Sequence, residues 1–426
     1  MRLVKLIVFF AILTFLMGTA YAQEGKIQLL WPNAEDAVMY ELEVANVAIK
    51  EDSPAQPDQV IYTATNIYTP GVELQLSLFA GQDIKKLFYR VRPLDLDKNP
   101  VGHFSRPMAL AQAELNSLRP TPTASFSDRP VPLYLVYSWI PVLEAARYEL
   151  EVTNRLPENQ NGAEPSPFRV RSYSVGQGFD FYDPEPFTKE GIYYWRVIAF
   201  DKDNQALGAY SEAMPFSVET GGYQWAVFGD SITHGGGAIS NPPSDARFDY
   251  SYYLPVPVKN LGKSGDTAAM LVERFEHDVL PFKPQFLLIL GGTNSIRGGT
   301  TAEDVIDSLL AIKKKCDENG IKPIFLTLPP LNPERIQRVF NQSTAGNWQQ
   351  ELAKVNAFIK IQPEFIDIYP ALVDEKGLVP VKYAQDGLHP DIAGKKIIAN
   401  RVNEYIRNLL DSGKKGVQAV RPEKGN

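Results

Sequence analysis

Apolar and polar residues alternate strictly in two short stretches of the front half, Tyr40-Glu41-Leu42-Glu43-Val44 and Tyr148-Glu149-Leu150-Glu151-Val152. A period of two marks a half-buried antiparallel strand. Trp31 and Trp139 each precede their strand's tyrosine by nine residues. A second matched pair follows in each copy. Tyr89-Arg90-Val91 leads to Asp95, Gly102 and Phe104-Ser105; Trp195-Arg196-Val197 leads to Asp201, Gly208 and Tyr210-Ser211. Turn residues at short intervals, as at 95–100 and 201–204, predict that each copy is a small β-sandwich with the tryptophan and tyrosine in its core. A stretch rich in Pro, Ser and Thr, residues 119–132, reads as the linker between them.

After Gly221-Gly222 the period changes. Residues 225–228, 256–260, 285–290, 323–328 and 364–368 read as short buried strands. Helical patterns cover 267–277, 302–319, 347–361 and 392–410. Strand-helix alternation of this kind predicts a parallel sheet with helices on both faces. The expected organisation is a leader at 1–22, β modules at 23–118 and 119–220, an α/β domain at 221–412 and a flexible tail at 413–426. The repeated copies resemble fibronectin type III or related immunoglobulin-like modules.

At 426 residues the chain exceeds one ordinary core, and 44% hydrophobic with 22% charged residues is a globular composition. Arg2 and Lys5, an apolar run at 6–17 and Ala20-Tyr21-Ala22 have the layout of a signal peptide, with a retained anchor as the alternative. The run is short for a membrane span, so export to the periplasm or the medium, without stable membrane insertion, is expected. Removing residues 1–22 takes away two positive charges and moves the net charge from −7 to −9. That balance argues against nucleic acid and anionic membranes as partners. A single cysteine, Cys316, excludes an internal disulfide and reads as a buried structural thiol. No His-Glu-x-x-His, paired cysteines or phosphate loop is present, so neither metal nor cofactor is expected.

Candidate chemistry begins at Ala226-Val227-Phe228-Gly229-Asp230-Ser231-Ile232. An apolar strand ending in Gly-Asp-Ser puts a hydroxyl at the C-terminal lip of a sheet, with the serine N–H at a helix N-terminus that favours negative charge. Ser231 could equally be a helix N-cap. Three later segments add weight: Asn260-Leu261-Gly262-Lys263-Ser264-Gly265-Asp266-Thr267, Gly291-Gly292-Thr293-Asn294 and Asp386-Gly387-Leu388-His389-Pro390. Of four histidines, His389 has a carboxylate, Asp386, three residues before it, a spacing that lets one turn aim both side chains the same way. His103 lies in the first module, and His277 sits near a helix end.

With these four blocks in order, residues 223–410 resemble the SGNH hydrolases, the GDSL esterase/lipase superfamily. The resemblance implies a flavodoxin-like α/β/α sandwich and ester hydrolysis. It makes Ser231 the nucleophile, His389 the base and Asp386 its orienter. The Ser231 N–H, Gly265 and Asn294 become the oxyanion donors, with Ser295 replacing the family's usual aspartate after the asparagine. The long connections 242–253 and 329–346 are expected to shape a substrate cleft, with His234, Tyr252 and Arg297 as candidate contacts. The expected activity is hydrolysis of short acyl esters, chiefly O-acetyl groups on polysaccharide or oligosaccharide. Alternatives are a lysophospholipase or short-chain lipase, a polysaccharide O-acyltransferase, and a glycan-binding scaffold whose α/β domain is inactive.

Overall fold

The computed structural model describes residues 25–411, apart from 52, 116, 118, 125 and 127–129. The leader at 1–22 and the tail at 413–426 lie outside the described residues.

The first module carries strands β1 (Lys26–Leu30), β2 (Met39–Ala45), β3 (Val60–Ile67), β4 (Gly71–Gln75), β5 (Phe88–Leu94), β6 (Met108–Ala109) and β7 (Glu114–Leu115). They form antiparallel sheets ordered β4-β1-β7 and β3-β2-β5-β6. The second carries β8 (Thr121–Pro122), β9 (Val136–Ile140), β10 (Arg147–Thr153), β11 (Arg169–Val175), β12 (Asp180–Tyr182), β13 (Gly191–Phe200) and β14 (Met214–Val218). Its sheets are ordered β12-β9-β8 and β11-β10-β13-β14. Each pair of sheets encloses its own apolar core.

The sequence repeat is a repeat of interactions. Trp31 packs edge-on to Tyr40 at 5.5 Å, and Trp139 lies 5.1 Å from Tyr148. The tyrosine hydroxyls accept the Ala34 and Val142 N–H, each six residues upstream. In both copies an aspartate, Asp95 or Asp201, closes its own turn by accepting two backbone N–H groups. Such turns are rigid because the side chain replaces a backbone partner.

The third domain is a five-stranded parallel sheet of β15 (Trp225–Gly229), β16 (Val258–Asn260), β17 (Phe286–Leu290), β18 (Lys322–Leu326) and β19 (Phe365–Ile366). Its order, β16-β15-β17-β18-β19, is the doubly wound flavodoxin-like order. The helices are α1 (Ser231–His234), α2 (Ala268–Asp278), α3 (Thr293–Arg297), α4 (Ala302–Glu318), α5 (Pro333–Phe340), α6 (Trp348–Lys360) and α7 (Ile392–Asp411). Helices α2, α4 and α6 pack side by side, while α7 packs with the turns at 246–253. Cys316 is on the buried face of α4, and burial raises its thiol to about 12. No described helix is long and apolar enough to cross a membrane.

Two readings need correction. The connection at 329–346 contains a helix, α5, whose single apolar face was too short to stand out as a pattern. The described residues of the stretch at 119–132 are no free tether. Thr121 and Pro122 pair with β9, and Ala124 and Phe126 fill the second module's core. The chain then joins the third domain directly. The Leu133 N–H donates to the Asn260 carbonyl of edge strand β16 at 2.8 Å, and buried Lys259 donates to the Val131 carbonyl at 2.9 Å. Leu133 and Tyr134 belong to the α/β core itself.

Leu133 is fully buried in a domain that its own module does not form. Leu133→Ala should therefore lower the stability of the α/β domain by about 2–5 kcal/mol, read as a shift in its urea unfolding midpoint.

Candidate active site

Strand β15 ends at Gly229, where an added Cβ would lie 2.0 Å from the Leu290 carbonyl oxygen of β17. No larger residue fits this close approach. The chain then turns into α1. The cap is Asp230, whose carboxylate accepts the Ile232 N–H at 3.0 Å, so Ser231 is the first helical residue and not the cap. Burial raises the Asp230 carboxyl to about 6.

Ser231 Oγ lies 2.9 Å from His389 Nε2, and His389 Nδ1 lies 2.8 Å from Asp386 Oδ2. Asp386 is fully buried, and its other oxygen accepts the Leu388 and His389 N–H groups. A buried carboxylate on Nδ1 holds the proton there and leaves the Nε2 lone pair facing the serine. Gly387 makes the turn possible at φ +81, where a Cβ would lie 2.5 Å from the Asn332 carbonyl oxygen.

Gly265, at φ +91, and Asn294 line the same cleft as Ser231 and His389, a space of about 370 Å³. The Asn294 amide spends one N–H on the Asp266 carbonyl at 2.9 Å, which fixes its orientation and leaves the second for a ligand. Ser295 serves where an aspartate was expected: its hydroxyl accepts the Ala268 N–H at 3.0 Å, at the first turn of α2. A hydroxyl activated by an imidazole, beside N–H donors in a partly closed cleft, is equipped for acyl transfer.

The model of the GDSL-like lipase/acylhydrolase family matches residues 227–397. The chain carries a GDSL-like acylhydrolase domain. The match supports a carboxylic ester hydrolase. Solved structures similar to the GDSL-like domain include a GDSL-like lipase from Bacteroides thetaiotaomicron, 22% identical over 43% of this chain and 88% of that one, with a TM-score of 0.34. A lipase/acylhydrolase from Enterococcus faecalis is 22% identical over 44% of this chain and 96% of that one, at a TM-score of 0.35. An acetylxylan esterase from Geobacillus stearothermophilus, solved as a catalytic mutant, is 20% identical over 48% and 98%, at 0.32. None of the curated proteins matches the sequence.

The three candidate contacts fare differently. Arg297 does line the cleft of the GDSL-like domain, with Nη1 donating to Gln342 at 2.7 Å. Tyr252 does not; it is 44% exposed and lines a separate hollow between the GDSL-like domain and both modules. Its neighbours Tyr250 and Tyr253 pack on the core. His234 is neither exposed nor at the rim but buried. Its Nδ1 accepts the Ser264 N–H at 3.3 Å, so the proton is on Nε2, which donates to the Tyr134 carbonyl at 2.7 Å. His234 thereby links the Ser264-Gly265 loop to the second module.

Several site residues were not found from sequence. Asp180 and Tyr182 of β12 line the cleft, as do Phe340 and Gln342 at and beyond the end of α5. Phe340 also stands edge-on to His389 at 6.0 Å. The first module braces the same turn from behind. Asp97 grips Arg335 through two bonds of 2.7 and 3.0 Å, Arg335 donates to the Gln385 carbonyl at 2.7 Å, and the Leu96 N–H donates to the Gln385 side chain at 2.8 Å.

Asp391, two residues past His389, joins the cleft wall to that turn by accepting the Ala238 N–H at 3.1 Å and the Gln385 N–H at 2.7 Å. Burial, with Asp386 nearby, raises its carboxyl to about 7. Burial lowers Lys395 to about 8 against the pull of Asp249, Asp230, Asp391 and Asp386, and its ammonium holds the Ile232 carbonyl. Among the described residues no cluster suited to a metal ion is found.

A carboxyl that titrates near 7 when folded and near 4 when unfolded contributes stability that is lost as pH rises between those values. Asp391→Asn does not titrate. From pH 5 to 7 the variant should thus lose about 2 kcal/mol less stability than the native chain, as measured by urea denaturation at both pH values.

Proposed function

We propose that this protein is an exported serine esterase that removes short acyl groups, chiefly O-acetyl, from carbohydrate. The observation that carries the proposal is the hydrogen-bonded chain Ser231–His389–Asp386 opening into a cleft that also presents Gly265 and Asn294. Ser231 Oγ attacks the ester carbonyl as its proton passes to His389 Nε2. The Ser231 and Gly265 N–H groups and the free N–H of Asn294 receive the oxyanion. Collapse of the tetrahedral adduct releases the alcohol, protonated by His389, and leaves Ser231 acylated. Water deprotonated by the same nitrogen then frees the acid. Asp386 holds the imidazole and stabilises its charged form throughout.

The carbohydrate reading rests on the cleft's lining. A lipase needs a broad apolar groove, whereas here Ile239, Phe340 and Leu388 alternate with Asp180, Asn241, Arg297 and Gln342. Polar groups around a small apolar patch suit a short acyl chain on a hydroxylated alcohol. Export rests on the leader pattern of residues 1–22.

Initial rates on p-nitrophenyl acetate, butyrate and octanoate should fall in that order. Ser231→Ala should abolish turnover by at least about 10³-fold. A preference for octanoate would move the substrate to lipid esters, and activity retained in the Ser231 variant would remove the mechanism. Asn294→Ala should lower kcat by about 10²–10³-fold.

A further inference from the structure

The second module reaches the cleft through one strand. β12 pairs with β9 in the register Asp180↔Ser138, Phe181↔Tyr137 and Tyr182↔Val136. Phe181 packs with Tyr173 toward the module's core, at 4.7 Å between ring centres. Strand geometry then turns its neighbours Asp180 and Tyr182 to the opposite face, where both line the space above Ser231. Their position is not left to a flexible joint. β9 continues from the segment that pairs with β16, and the Tyr182 ring stands edge-on to His234 at 6.2 Å.

Asp180 is partly buried, and its carboxylate makes no hydrogen bond or ion pair with the described residues. Desolvation alone raises it, to about 6. A structural carboxylate in such a place is ordinarily paired. Its acceptor positions face a cleft instead. The chemistry that satisfies them is a hydroxylated ligand, because adjacent hydroxyls donate to the two oxygens of one carboxylate. The same charge opposes a phosphate-bearing alcohol. Tyr182, 43% exposed, adds a ring on which the apolar face of a sugar can lie.

We propose that Asp180 and Tyr182 form the subsite for the alcohol portion of the ester, a neutral sugar, so that the second β module is part of the enzyme's specificity. The inference rests on the carbohydrate reading above. A test uses the full chain hydrolysing p-nitrophenyl acetate, with unacetylated xylobiose as a competitive inhibitor, and compares the native protein with Asp180→Asn and Tyr182→Ala. Xylobiose should inhibit the native protein, and its inhibition constant should rise about tenfold in Asp180→Asn, the loss of one hydrogen bond to a charged group. The preference for acetylated xylobiose over p-nitrophenyl acetate, as a ratio of kcat/KM, should fall by a similar factor. Tyr182→Ala should weaken inhibition in the same direction.

An inhibition constant unchanged in both variants, with their unfolding temperatures intact, would overturn the subsite. So would a variant that loses inhibition by choline and keeps inhibition by xylobiose, which would assign the carboxylate to a cation. Failure of the carbohydrate reading itself looks different. The native protein would then hydrolyse p-nitrophenyl acetate, yet neither bind xylobiose nor deacetylate its acetylated form.

Discussion

The exposed edge of a parallel sheet must be covered, because its unpaired N–H and C=O groups and its flanking apolar residues are otherwise open to water and to other chains. Here the segment before β9 does this for β16. One backbone hydrogen bond from Leu133, a side-chain bond from the buried Lys259 Nζ to the Val131 carbonyl, and two apolar side chains in the core make the joint. The same joint sets β9, hence β12, hence the residues above Ser231. It also brings the Tyr134 carbonyl to His234, which fixes that ring's tautomer and with it the Ser264-Gly265 loop. The architecture is thus three bodies around one cleft: the GDSL-like domain supplies Ser231, His389 and Asp386, and the modules hold and wall them.

The polar interior near Ser231 follows the same logic. Asp230, Asp386, Asp391 and Lys395 are all buried. Ionisable groups in such a place are tolerated when each has backbone partners, and all four do: Ile232, Leu388, His389, Ala238, Gln385 and the Ile232 carbonyl. Loops that carry chemistry lack a regular ladder to hold them. In this site buried side chains take the ladder's place.

Much of this was legible along the chain because the signals are local. Period-two runs marked the modules, short apolar runs alternating with helical patterns marked the parallel strands, and the three-residue spacing of Asp386 and His389 reflects a single turn. What escaped depends on contacts distant in sequence. Nothing around Asp180 distinguishes it from any polar strand residue; its place is set by a joint some fifty residues upstream and by Ser231 fifty residues downstream. His234 follows the serine closely enough to suggest the rim, yet α1 ends at it, and its ring turns inward between Ser264 and Tyr134. Tyr252 sits in a tyrosine cluster in which Tyr250 and Tyr253 pack on the core while Tyr252 is exposed, a division that a short 3₁₀ turn makes and no simple period predicts.

The duplicated turns at Asp95 and Asp201 show how such a joint can arise. Each turn takes its shape from its own aspartate and from backbone N–H groups, so the side chains of Asp97 and Asp203 at its tip are not needed to hold that shape. In the second module the tip, Lys202, Asp203 and Asn204, is exposed to solvent. In the first, Asp97 at the equivalent place has become a latch on Arg335 and Arg338 of α5. A loop that is rigid without its tip offers that tip as a free variable. One fold repeated twice can therefore keep one copy as plain surface and give the other a partner, with no change to the scaffold of either.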